Sequence, residues 1–292
     1  MPCTVKDVAQ LAKVSTATVS RVFSGKPYVR ADMRARVLQA AGQLDYKPSR
    51  LARSLRVQSS RIIGLIISDI QNPFFTALVR AVEDETYQHD YAIFLCNSDE
   101  SPQKEQLYID LMLAEKVAGV IITPERESGS QISRLVQAGI PVVAVDRSIT
   151  DLDVDTVLID NVAAACELVS FVIAQGHRRI GAILGSLDKT TGRERYQGYQ
   201  EALAAHSIPL DPALVRLGMP KESLGYQYTR ELLECPLPPT AIFTGNNLLT
   251  VGALRAIREK NLNIPAVVSL CGFDDIQWTS LVTPPLTVVS QR

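Results

Sequence analysis

The chain has 292 residues, and two or three structural units are expected because single hydrophobic cores stop growing near about 250–300 residues. Hydrophobic residues make up 46% and charged residues 21%, a balance that excludes disordered, collagen-like and coiled-coil proteins. The longest apolar runs, such as Ile62–Ile67, are far shorter than the ~20 residues of a membrane helix. The N-terminus does not resemble a secretion signal. Five cysteines without a CxxC pair indicate reduced thiols in a cytoplasmic protein.

The charge is distributed unevenly along the chain. The whole sequence carries −1, but residues 1–60 contain four Lys, seven Arg and three Asp, a net +8, which leaves −9 for the remainder. A compact basic segment on an acidic body is typical of a polyanion-binding module joined to a body that does not bind polyanions. A solvated basic surface is the alternative, but such a surface is seldom concentrated in one terminal segment. The pattern therefore favours a nucleic-acid-binding head.

The basic segment predicts three short helices. Thr4, followed three residues later by an aspartate, is typical of a helix start, and Ser15 can cap a second helix after a three-residue turn. The second helix exposes short hydroxyl side chains together with Arg21, and Asp32 opens the third helix. Two helices joined by a tight turn, the second of them suited to the major groove, indicate a helix-turn-helix. A generic three-helix bundle is the alternative.

The residues TVKDVAQLAKVSTATVSRVFSG, followed by VRADMRARVLQAAGQLDYKPSRLARSLR, closely resemble the headpiece of the lactose-repressor/purine-repressor (LacI/GalR) family of bacterial transcription regulators. The resemblance extends through the whole chain and implies a repressor that binds double-stranded operator DNA as a homodimer. It implies that Thr16 and Ala17 read base edges, that Arg21 reads a base, and that Thr18 and Ser20 lie near phosphates. The turn residue, often Gly or Asn in the family, is Lys13 here. A left-handed conformation at such a residue costs about 1 kcal/mol, so the turn is either slightly strained or slightly rearranged.

A basic segment, PSRLARSLR at Pro48–Arg56, follows the head. Nine residues are too few for a stable isolated helix, which needs roughly 12–15. The resemblance implies that this hinge folds only on DNA and against its dimer mate. It also implies that Leu55 wedges into a minor-groove step and bends the DNA, with Arg53 and Arg56 among the DNA contacts. Without DNA, we expect a flexible linker.

From Arg61 onward, apolar strands alternate with amphipathic helices, the α/β pattern of doubly wound parallel sheets. Two such series predict two lobes. The expected domains are the helix-turn-helix head at 1–47, the hinge and linker at 48–60, lobe 1 at 61–160 and lobe 2 at 161–292. The chain stops at LTVVSQR, where family members cross back to lobe 1, so we expect C-terminal elements to be missing. The predicted strands are 62–67, 92–96, 119–123, 142–145, 180–184, 213–217, 241–244 and 267–271, and the predicted helices are about 73–88, 102–115, 128–138, 162–175, 192–206, 222–234 and 247–260.

Polar side chains recur where these strands end, which is where ligands bind in such folds. Without a metal cluster, they indicate a cleft for a hydroxyl-rich small molecule. The resemblance implies a periplasmic-binding-protein-like body that holds a sugar-like effector between its lobes. The basic side chains Arg147, Lys189 and Arg195 favour a sugar acid or sugar phosphate over a neutral sugar. The matching positions give the expected effector contacts Asp69, Phe74, Arg147, Lys189, Thr191, Arg195, Asn246 and Asp274.

Other functions have less support. The first strand is not followed by GxGxxG, and no GxxxxGK[ST] is present, so neither nucleotide-binding fingerprint is found. The three histidines, His89, His177 and His206, are scattered along the chain. We therefore expect no enzyme, cofactor or metal. The remaining alternative is a free-standing sugar-binding protein without a DNA function, which the basic head and the lack of a secretion signal oppose.

Overall fold

The computed structural model describes residues 3–24, 28–46 and 60–291. The chain divides into two compact units, Met1–Ser60 and Arg61–Arg292. The predicted hinge at Pro48–Arg56, including Arg53, Leu55 and Arg56, lies outside the described residues. Within the described residues, no helix is both long and apolar enough to cross a membrane.

The described residues of the first unit contain three helices: α1 at Val5–Leu11, α2 at Thr16–Phe23 and α3 at Ala31–Gln43. Valines from all three helices lie at the centre of its core. Both predicted helix starts are confirmed, because the carboxylate of Asp7 accepts hydrogen bonds from Thr4 and the Ser15 hydroxyl accepts one from the N–H of Thr18. The third helix begins at Ala31, one residue before the expected Asp32. Lys13 adopts φ 52°, so of the two alternatives for the turn the left-handed one is present.

Lobe 1 is a five-stranded parallel sheet with the order β2-β1-β3-β4-β5. Alternate residues of its central strand β1 face opposite sides, so that Ile66 packs with Ile122 on one face and Leu65 with Phe75 on the other. Its strands are β1 Ile62–Ile67, β2 Ala92–Asn97, β3 Gly119–Ile122, β4 Val142–Val145 and β5 Asp155–Val157, and its helices are α4 Pro73–Gln88, α5 Pro102–Glu115 and α6 Ser133–Gln137.

Lobe 2 repeats this arrangement with the order β10-β9-β8-β6-β7. Asp160 caps its first helix by accepting a hydrogen bond from the N–H of Ala163. Its strands are β6 Ile180–Gly185, β7 Val215–Gly218, β8 Ala241–Thr244, β9 Ser269–Phe273 and β10 Thr287–Val289, and its helices are α7 Asn161–Ala174, α8 Thr190–Ala205, α9 Glu222–Leu233 and α10 Asn247–Glu259, with a 3₁₀ turn at Pro212–Leu214.

Three local predictions were wrong, and two strands were not predicted. The helix expected at 128–138 spans only Ser133–Gln137, because Asp151, in the loop between β4 and β5, binds the hydroxyl of Ser128 and the N–H of Gly129. The strand expected at 213–217 begins at Val215, after the 3₁₀ turn. The strand expected at 267–271 is shifted to Ser269–Phe273. Strands β5 and β10 were not predicted, since each has only three residues and β5 is exposed throughout, leaving no apolar run to recognise.

Glycine determines how closely α9 and α10 approach in lobe 2. A Cβ atom at Gly252 of α10 would overlap the carbonyl oxygen of Glu222, and one at Gly225 of α9 would overlap the backbone of Leu249. The two helices therefore pack backbone against backbone, and any added methyl group must push them apart.

We predict that Gly252→Ala destabilises the second unit by about 1–3 kcal/mol through overpacking, measured as the free energy of unfolding in urea. Gly42→Ala is the control: Gly42 lies in α3, and nothing lies within 4 Å of the added atom. Equal stability of the wild type and Gly252→Ala would show that the helix crossing is not tightly packed.

Candidate functional site

The helix-turn-helix presents the predicted DNA-reading residues on α2. Thr16, Ala17 and Arg21 are exposed, whereas Thr18 and Ser20 are partly buried. The Thr18 hydroxyl lies 3.0 Å from that of Ser15, so this side chain also supports the start of the helix. The exposed set combines two small side chains with one long donor, the combination that allows a helix to approach base edges.

A cleft of about 350 Å³ lies between the two lobes, at the carboxyl ends of the strands. This volume is that of a small-molecule site. Seven of the eight predicted effector contacts line it: Phe74, Arg147, Lys189, Thr191, Arg195, Asn246 and Asp274.

Asp69, the eighth predicted contact, does not line the cleft. Its Oδ1 accepts the N–H of Gln71, and its Oδ2 accepts a hydrogen bond from Lys221 of lobe 2 at 2.6 Å. The carboxylate is therefore engaged by its own turn and by a bond between the lobes. Burial would lower the pKa of Lys221, but its bonds to Asp69 and Asp99 raise it above the ordinary value.

Two glutamates in the cleft bind Arg147. Its Nη2 lies 2.6 Å from Oε1 of Glu100, and its Nη1 lies 3.0 Å from Oε2 of Glu125. The Glu125 side chain is fully buried, and those of Glu100 and Arg147 are 5% and 7% exposed. Breaking such a buried ion pair is strongly destabilising, because removing either partner leaves an uncompensated buried charge.

Lys189 of lobe 2 joins the same glutamates from the opposite side of the cleft. Its Nζ lies 2.8 Å from Oε2 of Glu125 and 2.6 Å from the carbonyl oxygen of that residue. It also lies 3.6 Å from Oε2 of Glu100. Glu125 therefore binds cations from both lobes. Glu100, Glu125, Arg147 and Lys189 are referred to below as the cleft ion cluster.

A third glutamate lies behind this cluster. Glu105, on the first turn of α5, accepts the N–H of Glu125 at 2.7 Å and is 4% exposed. Burial raises the pKa of Glu105 to about 7, and the neighbouring Glu125 charge also raises it. Burial alone would raise the pKa of Glu125, but Arg147, Lys189 and Ser98 lower it below its ordinary value. The pKa values of Glu105 and Glu125 are therefore shifted in opposite directions, and of these two Glu105 retains a proton more easily.

Arg195 lies at the lobe 2 side of the cleft. Its Nε donates to Asn161, its Nη1 donates to the carbonyl oxygen of Gly245 at 2.5 Å, and its guanidinium stacks 4.0 Å from the centre of the Phe273 ring. Burial lowers the pKa of Arg195, while the negative charges of Asp274 and Asp146 act in the opposite direction. The side chain is therefore fixed in one orientation along the wall of the cleft.

Asn246 and Asp274 form the wall next to α10. Asn246 caps that helix by accepting the N–H of Leu249 at 2.9 Å. The Oδ2 of Asp274 accepts two hydrogen bonds from Asn247, and Oδ1 accepts one from Gln291. Asn247 also donates to Asn72 of lobe 1 at 2.6 Å, so the lobes touch at this wall as well.

The sequence reading missed Glu100, Glu125 and Lys221 as residues of this region. The signal that could have revealed the two glutamates was the same strand-end rule, since each lies three residues beyond the end of β2 or β3. Their presence changes the charge argument. Arg147 and Lys189 are bound by carboxylates, so these two residues do not provide the unpaired positive charge on which the preference for an acidic effector was based.

Comparisons with known proteins agree with this architecture. Residues 4–49 match the bacterial regulatory proteins of the lacI family, and residues 60–292 match the periplasmic binding proteins and sugar binding domain of the LacI family. The chain therefore belongs to the LacI family of bacterial regulatory proteins.

Individual relatives are similar over nearly the whole chain. The HTH-type transcriptional repressor PurR of Actinobacillus pleuropneumoniae serotype 5b (strain L20) is 35% identical over 99% of this chain and 86% of its own length. PurR of Haemophilus influenzae (strain PittEE) is 33% identical with the same coverage. The lac repressor dimer bound to operator and the anti-inducer ONPF superposes with a TM-score of 0.85 at 27% identity, covering 100% of this chain and 88% of that chain.

Together, the helix-turn-helix, the two-lobed body and these relatives define the function at the level of the class. The protein is a DNA-binding transcriptional repressor with a small-molecule effector. A free-standing sugar-binding protein is not favoured, because the match includes the DNA-binding head.

The protonation of Glu105 predicts a pH dependence of stability. Its pKa of about 7 in the folded protein exceeds the ordinary 4.5, so between these values the folded state binds more protons than the unfolded state. The free energy of unfolding therefore falls as pH rises through this window, by up to about 3 kcal/mol at roughly 1.4 kcal/mol per pKa unit.

Glu105→Gln should remove this slope, because a glutamine oxygen can still accept the N–H of Glu125 without a titrating charge. The measurement is the urea unfolding free energy from pH 5 to pH 8. Glu115→Gln, at the exposed end of the same helix, should leave the slope unchanged. An unaltered slope in Glu105→Gln would assign the pH dependence to other groups.

Proposed function

We propose that this repressor binds a near-palindromic operator as a homodimer and that a sugar, sugar acid or sugar phosphate in the cleft controls its operator affinity. The observation that carries the proposal is the cleft itself, whose polar side chains come from both lobes. Because it acts on DNA, we expect the protein in the cytoplasm, without a catalytic activity.

The operator part of the proposal follows from the size of the head. One small helix-turn-helix reads only a half-site, so a two-fold symmetric protein is expected to bind two-fold symmetric DNA. Thr16 and Ala17 would read base edges, and Thr18 and Ser20 would lie near phosphates. The basic head would neutralise phosphates, so that operator affinity should fall steeply with salt concentration.

The effector part rests on groups that can still form hydrogen bonds in the cleft. The Nε atom of Arg147 is buried without a hydrogen-bond partner among the described residues, and such an atom costs about 1–3 kcal/mol. Asp274 can accept further hydrogen bonds, as a carboxylate has about four acceptor positions. Effector hydroxyls would satisfy both. The transcriptional regulator CelR was solved in complex with cellobiose. It superposes on this chain with a TM-score of 0.72 at 29% identity, covering 99% of this chain and 88% of that chain.

We propose that the effector acts through the angle between the lobes, and that the hinge at Pro48–Arg56 responds to it. An effector that contacts Phe74 and Arg147 on lobe 1 and Arg195, Asn246 and Asp274 on lobe 2 would hold one relative orientation. The hinge would then form a helix only on bent DNA, with Leu55 as the wedge and Arg53 and Arg56 among the DNA contacts. Effector and operator must change the affinity for each other by the same factor, typically about 5–150-fold.

The first experiment tests the DNA-reading role of Arg21. An operator is selected from a random pool of double-stranded DNA, and affinities for it and for unrelated DNA are measured at fixed salt. Arg21→Ala should weaken operator binding by about 1–3 kcal/mol with little effect on unrelated DNA, because a base contact is lost. Arg36→Ala, on the exposed face of α3, should weaken binding to both DNAs equally. If Arg21→Ala loses equal affinity for the operator and for unrelated DNA, the base-reading role of Arg21 is contradicted. A footprint that covers only one half-site at saturating protein would contradict binding as a dimer.

The second experiment separates the effector site from the hinge. Sugars, sugar acids and sugar phosphates are screened by thermal shift, since a ligand at a hundred times its Kd stabilises by about 2.7 kcal/mol. Asp274→Asn should weaken effector binding by at least about tenfold, because a charge-assisted hydrogen bond is worth roughly 1.5–3 kcal/mol, and it should spare operator binding in the absence of effector. Leu55→Ala should weaken operator binding and reduce the coupling factor, with effector affinity of the free protein unchanged. If Leu55→Ala retains the full coupling factor, the hinge is not the responding element.

A further inference from the structure

At the lobe 1 end of the cleft, cationic side chains are arranged as in an anion-binding site, but carboxylates of the protein itself take the place of the anion. Proteins bind carboxylate and phosphate ligands through the forked N–H groups of arginine and through lysine ammonium groups. In this cleft, the two terminal nitrogens of Arg147 and the Nζ of Lys189 form those same bonds with Glu100 and Glu125. The protein's own carboxylates therefore take the positions of ligand oxygens.

Both glutamates are held in place by more than the two cations, and the backbone N–H of Glu100 donates a hydrogen bond to the carbonyl oxygen of Ser68 at 3.1 Å. Oε1 of Glu125 accepts the hydroxyl of Ser98 at 2.5 Å, and its backbone N–H and carbonyl bind Glu105 and Lys189. Its side chain is fully buried, and that of Glu100 is nearly so. An incoming anion could not displace them into water without breaking these bonds.

The charge balance of the lining points the same way. Among the residues that line the cleft, carboxylates outnumber cations by five to four; they are Glu100, Glu125, Asp146, Asp188 and Asp274 against Arg126, Arg147, Lys189 and Arg195. Glu105 adds a further carboxyl group directly behind the cleft ion cluster. An anionic ligand at this end would meet the carboxylates of Glu100 and Glu125 in a buried setting, where repulsion is screened least.

We propose that Glu100 and Glu125 determine effector specificity, acting as an internal anion that excludes carboxylate and phosphate groups from the lobe 1 end of the cleft and leaves it to uncharged, hydroxyl-bearing ligands. The proposal rests on the effector function proposed above and selects among its three ligand classes. A related sugar-binding regulator of Escherichia coli was solved in complex with phosphate. Phosphate is therefore a suitable probe of whether this cleft excludes anions.

The test measures phosphate and sulfate binding by isothermal titration calorimetry on the full chain at constant ionic strength. The basic head can also bind these ions. Binding in the cleft is therefore defined as the part of the measured anion binding that is lost in Lys189→Gln. The wild type should show no such part. Glu125→Gln should bind phosphate in the cleft with an affinity at least about tenfold above the detection limit at which the wild type shows none, a difference of about 1.4 kcal/mol, and the double variant Glu125→Gln/Lys189→Gln should lose this binding.

Two further variants complete the experiment. Glu127→Gln removes the same charge from the same loop, but Glu127 pairs with Arg193 and Thr190 outside the lining, so phosphate binding should not change. Glu100→Gln carries the same test if Glu125→Gln does not fold, since Glu100 faces both cations. Folding of each variant is checked by its thermal unfolding curve.

Either of two results would overturn the proposal. In the first, the wild type binds phosphate, or a sugar phosphate from the effector screen, and Lys189→Gln abolishes this binding. The proposed effector function would then stand, but the cleft would not exclude anions. The other is a folded Glu125→Gln or Glu100→Gln variant with no gain in phosphate binding, which would leave the glutamates a purely structural role. Failure of the proposed function itself is distinct, because then no sugar, charged or neutral, would shift the unfolding temperature.

Discussion

The buried carboxylate of Glu125 is the group on which the organisation of the cleft depends. It binds Arg147 from its own lobe and Lys189 from the other, and its main chain binds Glu105 and Lys189 as well. Removing one partner of a buried pair costs roughly 3–5 kcal/mol, because an unpaired charge stays behind. Loss of the bonds that join the lobes is therefore strongly destabilising, and any ligand that enters the cleft must be compatible with these bonds.

The fold explains why these charges meet. Parallel strands bring their carboxyl ends to one edge, so the residues that follow β2, β3 and β4 converge there in lobe 1. In lobe 2, Lys189 precedes α8 and Asn246 caps α10, which places both at the corresponding edge. Further bonds on each side of the cleft, from Lys221 to Asp69 and from Arg193 to Glu127, join the lobes at their rims. The ligand site and the contact between the lobes are thus the same surface.

Much of this could be predicted from the sequence. The alternation of apolar strands and amphipathic helices locates both sheets, because strands buried on two faces need continuous apolar residues. Single positions were also informative, since the family resemblance placed Lys13 at the turn between the first two helices, where the structure has a left-handed conformation. Seven predicted contacts line the cleft because side chains at strand ends face the same edge.

What the sequence could not supply was the pairing of charges across long separations. Lys189 and Glu125 are far apart in the chain, and no local pattern indicates that they meet, so the three basic side chains were read as available for an acidic ligand. Asp69 was misplaced for a related reason, since its partner Lys221 comes from the other lobe. Short exposed strands such as β5 escaped recognition because their stability comes from neighbouring strands and not from their own composition.

The most direct test of this account is the distance between spin labels on exposed positions of α5 in lobe 1 and α7 in lobe 2, measured by double electron–electron resonance without effector. If the cleft ion cluster holds the lobes together, the wild type should give one narrow distance distribution. Lys189→Gln should then give a broader distribution shifted to longer distances. Identical distributions for the two proteins would show that the lobes are held by other contacts and would contradict the central role of Glu125.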